Sequence, residues 1–219
     1  MAMSEAAVRN RRAGGPKRLL VLDQVISTMA VRGYSGTRYA DISEASGIAV
    51  STLQGYFGSR EDMLIEAFQR ATSVAVEAMR EFTAQFDDPW KQLVAMVDRG
   101  LATDVPTWRM LMEFWTAAAH DTELRQHATA LATQYREPFA DAVRRGVESG
   151  QFDPRFDVES IVEVAVANIV GVLYPTVLGH LPLPATNYRD VVISQLAYVL
   201  QVDTHETSGN PPALGDQEG

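Results

Sequence analysis

From Lys17 to Val202 the chain is written almost entirely in one period. Apolar residues recur every three or four positions, which gathers them on one side of an α-helix, and the runs are cut by glycine and proline. Nowhere is there a sustained alternation of the kind a half-buried strand needs. The reading is therefore all-α, with about nine helices. The first spans Lys17–Arg32 and is stopped by Gly33, with Leu19, Leu22, Ile26, Met29 and Ala30 as its apolar stripe. Two short helices follow, Arg38–Ser46 and Val50–Phe57, and then a long one from Arg60 capped by Ser59. Asp87-Asp88-Pro89 and Asp104-Val105-Pro106 read as further starts, with proline in the first turn. A long helix is predicted over Asp121–Glu148, and two apolar ones over Val158–Gly179 and Tyr188–Val202, separated by Pro182 and Pro184. Residues 1–16 read as a flexible basic arm and 204–219 as a disordered tail.

Composition narrows the function. The chain has no cysteine, which excludes disulfides, thiolate chemistry and cysteine-based zinc sites. Its first residues lack the apolar run of a signal peptide, and the most apolar stretch, Ile161–Leu178, contains Glu163, Asn168 and Pro175. A buried helix explains that stretch better than a membrane span does, and a cytoplasmic protein is expected. The formal net charge of −9 argues at first against nucleic acid, but its distribution reverses this. Residues 1–60 hold 8 Lys+Arg against 4 Asp+Glu, while the rest holds 11 against 24. A basic head on an acidic body suits a protein that turns one end toward phosphate.

The head contains the informative spacing. Two short helices meet at Gly47-Ile48, the glycine-bearing tight turn of a helix-turn-helix. The major groove of B-DNA admits one helix, so a first helix has to brace a second against the backbone. Ile42, Ile48, Leu53 and Phe57 are placed to form the small core that fixes their angle, which leaves Val50, Ser51, Gln54 and Gly55 toward DNA.

Residues 33–64 resemble the TetR family of bacterial regulators. The resemblance is carried by Gly33-Tyr34, Thr37, Ile42, Gly47-Ile48, Thr52-Leu53, Tyr56-Phe57 and Ser59-Arg60-Glu61. It implies a DNA-binding domain over 17–60 and a ligand-binding and dimerisation domain over 61–203. It further implies a repressor released from a palindromic operator by a small ligand, here a largely apolar one, and phosphate contacts from Thr37, Tyr56 and Arg60. Each of these three has a plainer role as well: Thr37 as a helix cap, Tyr56 as core, Arg60 as a solvated charge. With Arg38 and Thr52 the candidate DNA-binding set is Thr37, Arg38, Val50, Ser51, Thr52, Gln54, Gly55, Tyr56 and Arg60. Two departures from the family pattern stand out. Ala49 replaces a polar cap, and Gln54 replaces a tyrosine; a glutamine can read adenine through its N6 and N7 edge.

Of the last two predicted helices the first is apolar almost all round and the second carries an apolar stripe. Val162, Val166, Ile169, Val170 and Leu173 on the first, with Val192, Leu196 and Val199 on the second, are the candidate homodimer contacts. A large core within one chain is the alternative, and the family's four-helix dimer bundle favours the first reading. In the middle of the chain Trp108, Met112, Trp115, Tyr135, Phe139 and Tyr174 are the candidate ligand-binding residues, of the kind that line small-molecule pockets. Each could equally be ordinary core. No cofactor or catalytic motif is evident, and an enzyme is not expected. His120, Glu123 and His127, at spacings of three and four, are of metal-ligating type and would share one helical face, with a polar surface turn as the plainer reading. A helix-turn-helix protein acting without ligand is the remaining alternative.

Overall fold

A computed structural model describes residues 15–179 and 185–202. The basic arm up to residue 14, Pro182, Pro184 and the expected tail lie outside the described residues. The chain is all-α, and no strand occurs among the described residues. Its helices are α1 (Gly15–Gly36), α2 (Tyr39–Ser46), α3 (Val50–Phe57), α4 (Arg60–Thr83), α5 (Pro89–Leu101), α6 (Val105–His120), α7 (Thr122–Glu148), α8 (Val158–Gly171), α9 (Leu173–Leu178) and α10 (Ala185–Leu200). Only Val172 separates α8 from α9, so together they cover the single helix expected from Val158 to Gly179.

Local chemistry sets most of these ends. The Asp88 carboxylate accepts the Trp90 N–H at 2.8 Å, Asp104 that of Thr107 at 2.8 Å, Asp121 that of Leu124 at 2.9 Å and Asp157 that of Ser160 at 2.8 Å. Each satisfies an orphan donor of a first turn and places negative charge at the positive end of the helix dipole. At Ser59 the arrangement is reciprocal: its Oγ accepts the Asp62 N–H at 2.9 Å while Asp62 faces the Ser59 N–H at 3.4 Å.

Two cores result. The head core holds Val21, Leu22, Val25 and Met29 of α1, Ile42 of α2, Leu53 and Phe57 of α3, and Met63, Leu64 and Phe68 of α4. The stripe of α1 is turned from the expected one: Val21 and Val25 are buried and Leu19 is exposed. This core runs past residue 60 and takes in Met110, Phe114 and Ala118 of α6. The body core joins α5, α6, α7, α8 and α10 around Met96, Phe139, Ile169 and Leu200. At Gly100 of α5 a Cβ would lie 2.8 Å from Ile169, so the missing side chain lets α8 approach closely. Bidentate pairs tie the helices further, Arg189 to Asp98 between α10 and α5 and Arg136 to Glu163 between α7 and α8.

The run Val158–Leu178 is long and apolar enough by composition to cross a membrane. Its Ile161, Val162, Ala165, Val166, Ile169 and Leu173 are buried in the body core, as a helix inside a helical bundle requires.

Candidate nucleic-acid interface

Gly47 ends α2 in the left-handed region (φ 69°, ψ 12°), and its N–H donates to the Ser43 carbonyl at 3.0 Å. This turn delivers α3 across α2 with Ile42 and Leu53 fully buried between them and Phe57 closing the far end. The residues between those anchors point outward: Ser51, Thr52, Gln54 and Gly55 are all exposed, and Val50 is half-buried at the helix start. Ala49 precedes α3 with no side-chain cap, as its sequence position implies. Arg38, the residue before α2, is exposed, and its N–H donates to Asp41 at 2.8 Å. An exposed polar strip on a short braced helix, flanked by a guanidinium, can enter a groove and meet both base edges and phosphate.

Two expectations about this face need correction, and a third residue takes the plainer of its two roles. Thr37 is neither an exposed phosphate contact nor the cap of α2. Its side chain is fully buried and its hydroxyl donates to the Gly33 carbonyl at 2.7 Å, leaving Arg38 in the cap position. Arg60 does not extend into solvent. Its Nε donates to the Thr37 carbonyl at 2.7 Å, its Nη2 to the Tyr34 carbonyl, and its guanidinium lies 5.4 Å from the Tyr34 ring centroid. It is a strut between the start of α4 and the α1–α2 corner. Tyr56 is half-buried against the head core, edge-on to Phe57 at 6.1 Å, so its ring serves packing.

Sequence reasoning missed two further struts. Arg18 reaches across from α1 to Glu66 and lies 4.7 Å from the Phe57 ring centroid. Tyr39 donates from its hydroxyl to the Ser59 carbonyl at 2.7 Å, closing the head behind α3. Burial, then the nearby Asp62, Glu61 and Glu66 carboxylates, push the Tyr39 phenol up to about 12. Aromatic and arginine residues at helix starts were visible in the sequence, but their acceptors are main-chain carbonyls that no residue pattern marks.

In the body, Trp108 and Phe139 are buried in the core, with Met112, Trp115 and Tyr135 packed partly buried against it. Tyr135 lies 5.9 Å from Phe139, and burial raises its phenol pKa against the opposing pull of Arg99. Tyr174 does not join them, because it is 62% exposed on the outer side of α9. Met110 and Phe114, on the same helix as Trp108 and Met112, belong to the head core.

Most of the expected dimer contacts face inward. Val162, Val166, Ile169, Leu173, Val192 and Leu196 are buried inside the protomer, and Val170 and Val199 are partly buried against the same core. The apolar residues left exposed on these helices are Val164, Tyr174, Leu178, Val191 and Tyr198. A shallow depression of ≈ 390 Å³ lies on that side of α10, lined by Asp190, Val191, Ser194, Gln195 and Tyr198. Helical period alone marks α8 as apolar on two sides without saying which side its own chain covers.

His120, Glu123 and His127 do not share a helical face. His120 ends α6, Asp121 caps α7, and only Glu123 and His127 lie on α7, where His127 Nδ1 is 3.2 Å from Gln69 Nε2. No metal-binding cluster forms among the described residues.

The fold and both halves of the chain have counterparts. Residues 21–67 match the family model described as bacterial regulatory proteins, tetR family, and residues 89–201, over half of the chain, match that of the BetI-type transcriptional repressor, C-terminal. The fatty acid metabolism regulator protein of Bacillus subtilis is 22% identical over 144 residues, covering 65% of this chain and 74% of that protein. The HTH-type transcriptional repressor KstR2 of Rhodococcus jostii is 26% identical over 145 residues, covering 65% and 71%. The crystal structure of the transcriptional regulator FadR from Bacillus subtilis in complex with stearoyl-CoA superposes with a TM-score of 0.69 at 20% identity, over 84% of this chain and 99% of that one. With its head and its body each matched in turn, the chain belongs to the TetR family of DNA-binding transcriptional regulators.

Proposed function

We propose that the chain is a cytoplasmic homodimeric repressor, without enzymatic activity, that binds a palindromic operator and leaves it when a small, largely apolar ligand enters the body. The observation that carries the reading is the face of α3: Ser51, Thr52, Gln54 and Gly55 are exposed while Leu53 and Phe57 hold the helix from behind. Gln54 is the base reader, and Arg38 with the main chain at the start of α3 supplies phosphate contacts. The domains divide by role, with 17–60 reading DNA and 61–203 binding ligand and pairing. The exposed apolar side of α8, α9 and α10, through Val164, Tyr174, Leu178, Val191 and Tyr198, is the pairing surface. Two copies set two heads about one helical turn of DNA apart. The ligand site is built on Trp108, Met112, Trp115, Tyr135 and Phe139, and stearoyl-CoA, present in the Bacillus subtilis structure, is the first compound to test by thermal shift.

Selection from a random duplex library at two salt concentrations tests the DNA reading. A palindromic consensus is expected, with Gln54→Ala relaxing discrimination at one position of each half-site by about 1–3 kcal/mol. Binding without a consensus, lost at the higher salt, would reduce the interaction to generic phosphate attraction and overturn the proposal.

A further inference from the structure

Helix α6 belongs to two cores at once. Met110, Phe114 and Ala118, one helical turn apart, are buried in the head core, where Phe114 stacks on Phe68 at 4.1 Å and meets Tyr34 edge-on at 5.9 Å. Trp108 is buried in the body core, and Leu111 and Trp115 touch both cores. From the same helix Glu113 reaches the corner that carries the chain from α1 into α2. Its Oε2 accepts the Ser35 N–H at 3.2 Å. Its carboxylate also occupies the space beside Gly33, where a Cβ would lie 2.2 Å from both oxygens. Gly33 has φ 75° and ψ 171°, a region essentially confined to glycine, so backbone and contact make the same demand.

The corner is gripped from its other side by Arg60, on the carbonyls of Tyr34 and Thr37. The segment that sets the direction of α2, and through it α3, is thus held between the first residue of α4 and one residue of α6. Among the described residues Glu113 forms no ion pair, and its hydrogen-bond partner is the Ser35 main chain. At 3.2 Å that bond is already near the end of its range, so a displacement of α6 by roughly 0.5–1 Å breaks it.

The geometry points to Glu113 as the positioning residue through which the body sets the direction of the recognition helix. The inference rests on the DNA-binding reading above and names the contact that transmits the ligand's effect. Coupling between two sites is reciprocal, so DNA on the head must also register in the body. Of the three tryptophans, all in α5 and α6, Trp90 and Trp108 are buried in the body core, so their emission reports the body while the duplex binds the head.

The test titrates the full chain with the duplex obtained by selection, following tryptophan emission and, separately, affinity by labelled-duplex anisotropy. The wild type should change emission on saturation. At saturating duplex Glu113→Ala should lose most of the emission change, and its duplex affinity should fall by an amount within the roughly 5–150-fold usual for allosteric coupling. Glu113→Gln retains an oxygen acceptor for the Ser35 N–H and should restore the change. A wild type without response, or a Glu113→Ala variant with the full response, overturns the inference. Should selection yield no consensus duplex, hydrogen exchange of the unliganded protein decides. Glu113→Ala must then raise exchange across residues 33–58 and not across 89–101, and unchanged exchange in the first segment overturns the positioning role.

Discussion

Arg60→Ala separates a strut from a phosphate contact. In the structure the guanidinium donates to two main-chain carbonyls, of Thr37 and Tyr34, and lies over the Tyr34 ring. Hydrogen bonds from a charged donor contribute about 1.5–3 kcal/mol each, and an exposed cation–π contact about 0.5–1 kcal/mol. The side chain is 25% exposed, so water competes and the lower end of each range applies. The loss to alanine is therefore roughly 2–4 kcal/mol, which lowers the urea midpoint by about 1–2 M at fixed protein concentration. Arg60→Lys should lose most of this as well, because one ammonium cannot span both carbonyls and the ring. Against a selected duplex, the slope of log affinity on log salt should stay at its wild-type value for both variants. If Arg60 instead neutralised a phosphate, alanine would reduce the slope by about 0.9 per site, lysine would preserve it, and the urea midpoint would barely move. That pattern would refute the structural assignment.

Other predictions follow from neighbouring geometry. Gly33→Ala should destabilise the head by about 1–3 kcal/mol from backbone strain plus the displaced Glu113 carboxylate, and combining it with Glu113→Ala should cost less than the sum, measured as a non-additive double-mutant cycle in urea. Val164→Glu, at a position 58% exposed on α8, should halve the mass seen by sedimentation without changing helical content, whereas Val74→Glu, at 55% exposed on α4, should leave the mass unchanged. Tyr39 is raised to about 12 from its ordinary 10.0, so the folded head holds that proton more tightly than the unfolded chain. Its contribution is complete below pH 10 and is lost as pH rises toward 12; Tyr39→Phe should flatten that stretch of the stability profile, and an unaltered profile would contradict the linkage.

How legible each feature was depends on how far apart its parts lie in the chain. Helix ends were readable because their causes sit within three residues: Asp88, Asp104, Asp121 and Ser59 each bond a backbone N–H of the turn they begin. The helix-turn-helix was readable for the same reason, since Gly47 needs a positive φ and Ile42 and Leu53 need only each other. What the sequence could not disclose is pairing at a distance with the main chain. Arg60 meets carbonyls 23 and 26 residues earlier, and Glu113 meets an N–H 78 residues earlier. A carbonyl has no residue signature, so Arg60 read as a phosphate ligand and Glu113 carried no signal at all. His120 shows the complementary error: correct spacing was read across a helix break that Asp121, the cap, announces.

These internal pairings change how the basic head must work. Arg18 and Arg60 are turned inward, and Arg32 lies 3.4 Å from Asp41. Among the described head residues this leaves Lys17 and Arg38 outside any ion pair, with Arg9, Arg11 and Arg12 preceding the described segment. One or two phosphate contacts from these two described residues contribute a salt slope of only about 1–2 per head. In the proposed homodimer two heads on one scaffold roughly double that slope and gain further by presenting the second head at high effective concentration. That gain exists only while both heads point at successive grooves. A small re-aiming of α3, such as release of the Gly33–Thr37 corner would allow, therefore removes far more affinity than the contacts of one head contain. In the proposed dimer the inward arginines keep each head rigid enough for its direction to matter, so that a change of direction switches binding off.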